Sequence, residues 1–194
     1  NGKWRKGPGM DFIKKIHENV EGAPIIAEDL GFLTPAVKRL LKNSGFPGMK
    51  VMQFAFDPNE DSSYLPHYYP HNCVVYTGTH DNTTTRGWLD DQEEPVLQFA
   101  KDYLGFENLD DGPMAFVRAA LESVADLAVI PLQDYLGLPA ECRINTPSTV
   151  GGLNWKWRMT KDQAGKKLAK KLARLSTIYG RAPKKGDKSD AYAG

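Results

Sequence analysis

The sequence has few cysteines, no strong excess of either charge and no long hydrophobic segment. Its two cysteines, Cys73 and Cys142, are too few for a disulfide framework, so a reducing compartment is the default. Lys and Arg number 25 against 24 Asp and Glu, which gives a net charge of +1 and argues against nucleic acid as a partner. No apolar run approaches the roughly 18 residues that span a bilayer, and the first residues lack the apolar stretch of a secretory signal, so no membrane partner is expected.

Motifs of cofactor and metal chemistry are also missing. The sequence contains no phosphate-binding glycine loop and no Gly-x-Ser-x-Gly nucleophile elbow. His67 and His71 are four residues apart, but proline flanks both, which excludes a metal pair on one helix. The sequence therefore predicts no organic cofactor and no metal site.

Strand-like and helix-like segments alternate along the 194 residues. Hydrophobic residues make up 41% of the sequence, enough to form a core, and the length indicates one domain or slightly more. Four short apolar runs predict buried strands, at 24–27, 49–56, 73–76 and 128–132. Helical patterns follow Thr34, cover 95–104 and 113–127, and begin again at a capping-box pattern at 160–163. This order predicts an α/β fold with parallel strands and crossover helices.

Polar, ionisable side chains follow three of the four predicted strands. These pairs are Glu28 and Asp29, His80 and Asp81, and Gln133 and Asp134. Such residues can cap helices or pair with nearby lysines, and for one strand alone that interpretation is favoured. Because the carboxyl ends of parallel strands meet at one edge, where α/β proteins bind ligands, three pairs make an active site equally plausible.

Two carboxylates and a histidine around one pocket suit glycoside chemistry. One carboxylic acid protonates the leaving oxygen, and another carboxylate attacks or stabilises the oxocarbenium-like centre. The aromatic loop at 64–71, which includes Tyr64 and His67, offers platforms for sugar rings and donors for their hydroxyls. A loop packed by its own aromatic residues explains the same pattern equally well. Trp155 and Trp157 are predicted core residues, with a sugar-lining role as the alternative.

Several ordered segments resemble the 4-alpha-glucanotransferases, also called amylomaltases or disproportionating enzymes. They include Ile-Ala-Glu-Asp-Leu-Gly at 26–31, Tyr-Thr-Gly-Thr-His-Asp-Asn at 76–82, Pro-Leu-Gln-Asp at 131–134 and Asn-Thr-Pro at 145–147. The resemblance extends in order over roughly residues 2 to 179. It implies retaining transfer of an α-1,4-glucan segment to glucose or another glucan, without a metal or organic cofactor.

The fold implied by this resemblance is a (β/α)8 barrel of the α-amylase type. The four predicted strands would be strands five to eight, so residues 1–182 would form the carboxyl-terminal half of the barrel. Residues 183–194 show no periodicity and are expected to form a flexible tail.

The resemblance also assigns roles to particular residues. Glu28 matches the family's general acid/base, Asp81 matches the carboxylate that stabilises the transition state, and His80 matches the histidine that holds a sugar hydroxyl. Four further residues are expected to bind substrate: Asn82, His67, Tyr64 and Asn145.

One departure from the family concerns the nucleophile. In the family it is an aspartate at the end of the fourth barrel strand, within an Arg-x-Asp-His-like segment, and this sequence contains no such segment. Asp11 does not match, because its context is helix-like and it precedes the first predicted strand. The chain is therefore expected to begin after strand four and to be inactive by itself.

Two other interpretations remain open at this stage. A non-catalytic half-barrel would bind glucan or a partner, either the missing amino-terminal half or a second copy, because it would expose two strand edges. An α-amylase-type hydrolase would share the Glu residue and the His-Asp pair. The resemblance implies either a bacterial cytoplasm or a plastid stroma as the compartment.

Overall fold

The computed structural model of the chain describes residues 2–3, 5–20, 22–31 and 33–183. Of the predicted flexible tail at 183–194, all but the first residue lies outside these ranges. In the described part of the chain, no helix has the length and apolar character needed to cross a membrane.

The described residues form seven α-helices and three β-strands. The helices are α1 Met10–Asn19, α2 Pro35–Ser44, α3 Thr85–Asp90, α4 Glu94–Leu104, α5 Gly112–Glu122, α6 Leu132–Leu136 and α7 Lys166–Ile178. The strands are β1 Gly48–Val51, β2 Cys73–Tyr76 and β3 Leu127–Val129. Single 3₁₀ turns follow β1 at Met52–Phe54, precede β2 at Pro66–Tyr68, and follow α6 at Ala140–Cys142.

The three strands form one parallel sheet in the order β1-β2-β3. Gly48 is aligned with Cys73 across β1 and β2, and Val74 is aligned with Leu127 across β2 and β3. The parallel α/β character predicted from the sequence is therefore confirmed. All three carboxyl ends meet at one edge of the sheet, where Tyr76 is the last paired residue of β2.

The predicted first strand, at 24–27, is not a strand in the structure, so the described sheet has three strands rather than four. The segment runs beside the start of β1, but only the Ala27 amide donates across, to the Pro47 carbonyl at 2.9 Å. One backbone hydrogen bond does not make a ladder. Ile26 is also 42% exposed, so this segment lacks the cover on both faces that its apolar composition predicted.

Two other predicted strands are shorter than their apolar runs. The run at 49–56 leaves the sheet after Val51, and the run at 128–132 leaves it after Val129, because Tyr76 is the last partner that β2 offers to either. Beyond Val51 the chain forms a 3₁₀ turn in which Met52 and Gln53 are buried and Phe54 is exposed. An apolar run alone does not distinguish such a turn from a strand. Pro131, which lacks an N–H, precedes α6.

Helix boundaries differ most at the predicted capping box. The Thr160 amide donates to the Gln163 side chain at 3.0 Å, as a capping box requires. The Thr160 hydroxyl, however, hydrogen-bonds to Asp162, which lowers the pKa of that carboxyl, and α7 begins only after Gly165. The predicted helix at 113–127 is likewise too long, since α5 ends at Glu122 and β3 begins at Leu127.

The core lies between the sheet and helices α3, α4 and α5. Phe56 is at its centre and contacts Trp88 and Phe116 with ring centroids 5.8 and 5.3 Å away. A smaller cluster around Val117, Leu121 and Leu175 packs α7 onto α5. This packing fixes the sheet and leaves its carboxyl edge to the loops that carry the polar residues.

Candidate active site

A cavity of about 590 Å³ lies at the carboxyl edge of the sheet. Its apolar walls come from Met49, Phe54, Tyr76, Val129, Ile130 and Ile144. Its polar lining contains Glu28, His80, Asp81 and Asn82. The structure therefore brings together, around one space, the carboxylates and the histidine that the sequence placed after two predicted strands.

Glu28 and Asp29 are neighbours in sequence but have different surroundings. The Asp29 Oδ1 accepts a hydrogen bond from the Met49 amide at 2.6 Å, which ties the 24–30 segment to β1. The Glu28 side chain lines the cavity and is exposed, and no described residue hydrogen-bonds to its carboxylate. Asp29 thus has a structural role, the alternative that the sequence left open for carboxylates after a strand. Glu28 remains available to a ligand.

The loop between β2 and α3 carries His80 and Asp81. The Asn145 amide group donates to Asp81 Oδ1 at 2.6 Å, and Arg143 donates to the Asp81 carbonyl at 2.8 Å. His80 Nε2 lies 3.4 Å from Asp81 Oδ2. The Asp81 side chain is half exposed, so its second oxygen can still reach a ligand while the first is held by Asn145.

Trp155 is a residue of this site that sequence reasoning assigned to the core. It is 65% exposed, and its ring lies against that of His80 with centroids 5.1 Å apart. Its amide donates to the Ile144 carbonyl at 2.8 Å, and its φ is +62°, a strained value for a bulky residue. In the sequence, only the nearness of Trp155 to the Asn-Thr-Pro segment pointed to the site. The contact with His80, which is distant in sequence, shows that Trp155 lies there.

Asn82 lines the cavity but also stabilises the loop. Its side-chain oxygen accepts from the Thr79 amide at 2.9 Å and from the Thr79 hydroxyl at 2.7 Å. The side-chain oxygen of Asn82 thus serves the loop, and its role as a substrate ligand stays a prediction.

Two other predicted substrate ligands lie outside this cavity. Tyr64 packs edge-on against Phe54, with centroids 5.6 Å apart, and faces a neighbouring groove along Leu30 and Gly31. His67 hydrogen-bonds through Nδ1 to the Tyr103 hydroxyl at 2.8 Å. It lines a separate cavity of about 760 Å³ together with Arg118 and Glu122, among other residues. Tyr64 and His67 thus lie apart from the Glu28 cavity, and their binding of substrate stays a prediction.

The third predicted polar pair, Gln133 and Asp134, is buried and does not line the cavity. Gln133 donates to the Cys142 carbonyl at 3.1 Å. Asp134 accepts from the Thr77 hydroxyl at 2.5 Å and from the Thr85 amide at 2.7 Å. Burial raises the pKa of Asp134, and the hydrogen bonds from Thr77 and Thr85 oppose that rise.

In the described part of the chain, no group of three or more His, Cys, Asp or Glu side chains converges on one point. The cavity can accordingly offer a ligand two carboxylates, an imidazole, an amide and the Trp155 ring beside it. This combination suits a polyhydroxylated ring, because carboxylates and amides bind hydroxyls and aromatic faces pack against C–H surfaces.

Comparison with known proteins decides the family. Residues 1–163 match the family described as 4-alpha-glucanotransferase. The chain belongs to that family. Its likeness to a member of known structure is close, since it superposes on an amylomaltase from Streptococcus agalactiae in complex with acarbose with a TM-score of 0.87 and 36% identity. That match covers 94% of this chain and 37% of the amylomaltase.

Similar relatives include bacterial and plant 4-alpha-glucanotransferases. The Synechocystis sp. protein is 44% identical over 183 residues, which are 93% of this chain and 36% of the relative. The chloroplastic/amyloplastic protein of Arabidopsis thaliana is 43% identical over 183 residues, which are 93% of this chain and 32% of the relative. The chain thus spans about a third of the length of these relatives. The α/β fold of an amylomaltase is established, whereas the assignment to barrel strands five to eight stays a prediction.

Proposed function

We propose that this chain carries the acid/base side of a 4-alpha-glucanotransferase active site. The activity would be retaining transfer of an α-1,4-glucan segment to glucose or another glucan. The observation that carries the proposal is the convergence of Glu28, Asp81 and His80 on one cavity in a member of this family. The acarbose named with the Streptococcus agalactiae amylomaltase supports an α-glucan-like ligand. The compartment would be a bacterial cytoplasm or a plastid stroma.

In the proposed reaction, Glu28 in its protonated form donates to the departing glycosidic oxygen. After a covalent glucosyl intermediate has formed on a separate carboxylate, Glu28 accepts the proton of the incoming 4-hydroxyl. Its exposure and its lack of a described hydrogen-bond partner suit a group that exchanges a proton in each half-reaction.

Asp81 and His80 would hold the sugar at the cleavage point. Asn145 fixes one oxygen of Asp81, while the other lies 3.4 Å from His80 Nε2 on a half-exposed side chain and would accept from sugar hydroxyls as the ring flattens. Because Trp155 packs on one side of His80, the imidazole has a defined plane from which to contact a hydroxyl. The neutral substrate fits the net charge of +1, since no strong field of either sign is required.

The test is a hybrid enzyme in which this chain replaces the matching 37% of the Streptococcus agalactiae amylomaltase. We expect Glu28→Gln to reduce transfer from maltotriose by about 10²–10⁴-fold, because the amide cannot exchange the proton. The matched control is Glu122→Gln, which lines the separate 760 Å³ cavity and is expected to leave transfer unchanged. Equal activity of both variants would reject the assignment of Glu28.

Product analysis of the same hybrid separates transfer from hydrolysis. A transferase gives glucose together with longer maltooligosaccharides and no net gain of reducing ends. An α-amylase-type hydrolase releases reducing ends steadily without a ladder of longer products, and that result would overturn the proposed reaction while leaving the site intact.

A further inference from the structure

One buried carboxylate contacts both ends of the loop that carries His80 and Asp81. Asp134 Oδ2 accepts from the Thr77 hydroxyl, directly after β2, and Oδ1 accepts from the Thr85 amide, at the first residue of α3. Asp134 is 1% exposed, and both threonines are fully buried. The loop therefore begins at Thr77 and ends at Thr85, and the Asp134 side chain contacts both residues.

Burial of the Asp134 carboxylate costs free energy that burial of an apolar side chain does not. Among the described residues no cation lies within ion-pair distance of Asp134, so its carboxylate is compensated only by hydrogen bonds. Burial of a charge without a cation is unfavourable. An apolar side chain would avoid that cost but would leave the buried Thr77 hydroxyl and Thr85 amide without this acceptor. What the carboxylate adds is the simultaneous use of both oxygens on two separate parts of the chain, the Thr77 hydroxyl and the Thr85 amide.

Between these two points the loop is held by its own hydrogen bonds. Asn82 and Thr79 form a turn through the Asn82 side-chain oxygen and the Thr79 carbonyl. Gln53 donates to the Thr83 carbonyl at 3.0 Å, and its amide lies so close to Gly78 that an added Cβ would come within 2.6 Å. With the interior fixed in this way, the orientation of the whole loop depends on where its ends are anchored.

We propose that Asp134 is a positioning residue that sets the placement of His80 and Asp81 at the cavity without contacting substrate. Neither Asp134 nor Thr77 lines the cavity, whereas the residues that they hold in place do. The role of this placement in glucan transfer rests on the proposed function, but the placement itself is a property of the unliganded chain.

The test uses Thr77, which can be changed without removing the carboxylate. Thr77→Val keeps the shape and removes the hydroxyl, and Thr77→Ser keeps the hydroxyl as the matched control. In the 194-residue chain, NMR reads amide hydrogen exchange at Thr79 and Asn82, and also the shift that the Trp155 ring imposes on the His80 ring protons. Amides of β1 and β2 report on the rest of the fold.

In Thr77→Val we expect exchange at Thr79 and Asn82 to rise about tenfold, the cost of roughly one buried charge-assisted hydrogen bond. The His80 ring protons should move toward unstacked shifts, while exchange in β1 and β2 changes less than twofold. Thr77→Ser should stay near the unaltered chain. A Thr77→Val variant with unaltered loop exchange and unaltered His80 shifts would overturn the proposal, as would equal acceleration in the loop and the sheet.

Asp134→Asn supplies a second comparison if Thr77→Val does not fold. Its single acceptor oxygen replaces two, so loop exchange should rise several-fold, and an unaltered rate would overturn the proposal. Transfer from maltotriose by the hybrid enzyme reports separately on the proposed function. Equal transfer by the Glu28→Gln hybrid and its parent, with an intact response to Thr77→Val, would reject that function and keep the positioning role.

Discussion

At the scale of single residues, acidic side chains at the edge of the sheet fall into two groups. Asp29 and Asp134 accept backbone amides and organise the chain, while Glu28 and Asp81 line the cavity. The two groups differ in their hydrogen-bond donors. Asp29 and Asp134 each lie within 3 Å of a backbone amide that donates to the carboxylate, and such a bond stabilises the fold. Residue type alone does not separate the two groups.

Asn145 allows a direct test of the Asp81 contact. In the hybrid enzyme, Asn145→Ala should lower kcat/KM about tenfold, because the 2.6 Å hydrogen bond that orients the carboxylate is lost. Val150→Ala changes a fully exposed residue of the same loop and should have no effect. Steady-state transfer from maltotriose measures both, and equal values for the two variants would show that Asn145 does not orient Asp81.

Asp134 gives a prediction about stability and pH. Burial raises its pKa in the folded chain, so the folded state binds a proton more readily than the unfolded state, and the unaltered chain gains stability as the pH falls through that raised pKa. Asp134→Asn lacks this dependence. We therefore compare the free energies of unfolding as the pH falls from about 7 to about 4. The value for Asp134→Asn minus the value for the unaltered chain should become smaller over that fall. Urea unfolding at both values measures it, and an increase toward acid would contradict the sign.

At the scale of elements, the polar residues of the site lie on loops, and the packed core lies outside the site. The segment at 143–155 supplies Arg143 and Asn145 to Asp81, and Trp155 to His80. Its own turns are closed by the Asn154 side chain, which accepts from the Thr146 amide and donates to the Thr149 hydroxyl. Two loops from different parts of the sequence thus fix each other at the rim of the cavity.

Arg181 performs a similar task for the last helix. It donates to the carbonyls of Leu121, Ser123 and Ala125 at 2.7 to 3.0 Å, which joins the end of α7 to the turn before β3. Arg181→Ala should lower the free energy of unfolding by about 2–4 kcal/mol, because three half-buried carbonyls lose a charged donor.

The control for Arg181 is Arg174→Ala, an exposed change on α7 that should cost less than about 0.5 kcal/mol. Arg181→Lys should lie between the two, since a lysine keeps the charge but not the planar fork. Denaturant unfolding of the four chains measures the series, and a loss in Arg181→Ala no larger than in Arg174→Ala would show that this contact does not stabilise α7.

At the scale of the whole molecule, the sheet of the described residues ends at β1 on one side and at β3 on the other, and the catalytic set proposed for the cavity is incomplete. Leu127 and Val129 on the edge strand β3 are 47% and 41% exposed. The chain spans 36% of the Synechocystis relative. Pairing with further sheet, either from the rest of such a protein or from a second copy, stays a prediction that sedimentation analysis can test.

The chain by itself should not transfer glucan. The described residues place two carboxylates at the cavity, Glu28 and Asp81, and both have proposed roles other than nucleophile. Retaining chemistry needs a further carboxylate to form the covalent intermediate. Maltotriose incubated with the purified chain should remain unchanged by anion-exchange chromatography, while the hybrid enzyme converts it. Appearance of glucose and longer oligosaccharides with the chain alone would show that it holds a nucleophile.

Much of this arrangement could be predicted from the sequence because it depends on local patterns. The β2 run at 73–76, the Thr34 cap of α2 and the helix at 95–104 follow from apolar periodicity and capping chemistry, and the structure confirms them within a residue or two. The position of His80 and Asp81 after a buried strand follows from the same patterns, and the order of family motifs identifies the family.

The tertiary structure decided what depends on partners distant in sequence. Segment 24–27 is apolar enough for a strand but has only one backbone hydrogen bond, because strand pairing requires a neighbour that local sequence does not specify. Whether a strand-end carboxylate serves the fold or the cavity likewise depends on a remote donor, as for Asp134 and Thr85. The sequence by itself thus determined the residue types and their order. Folding, by placing donors from distant segments, determined which of them remain available to a ligand.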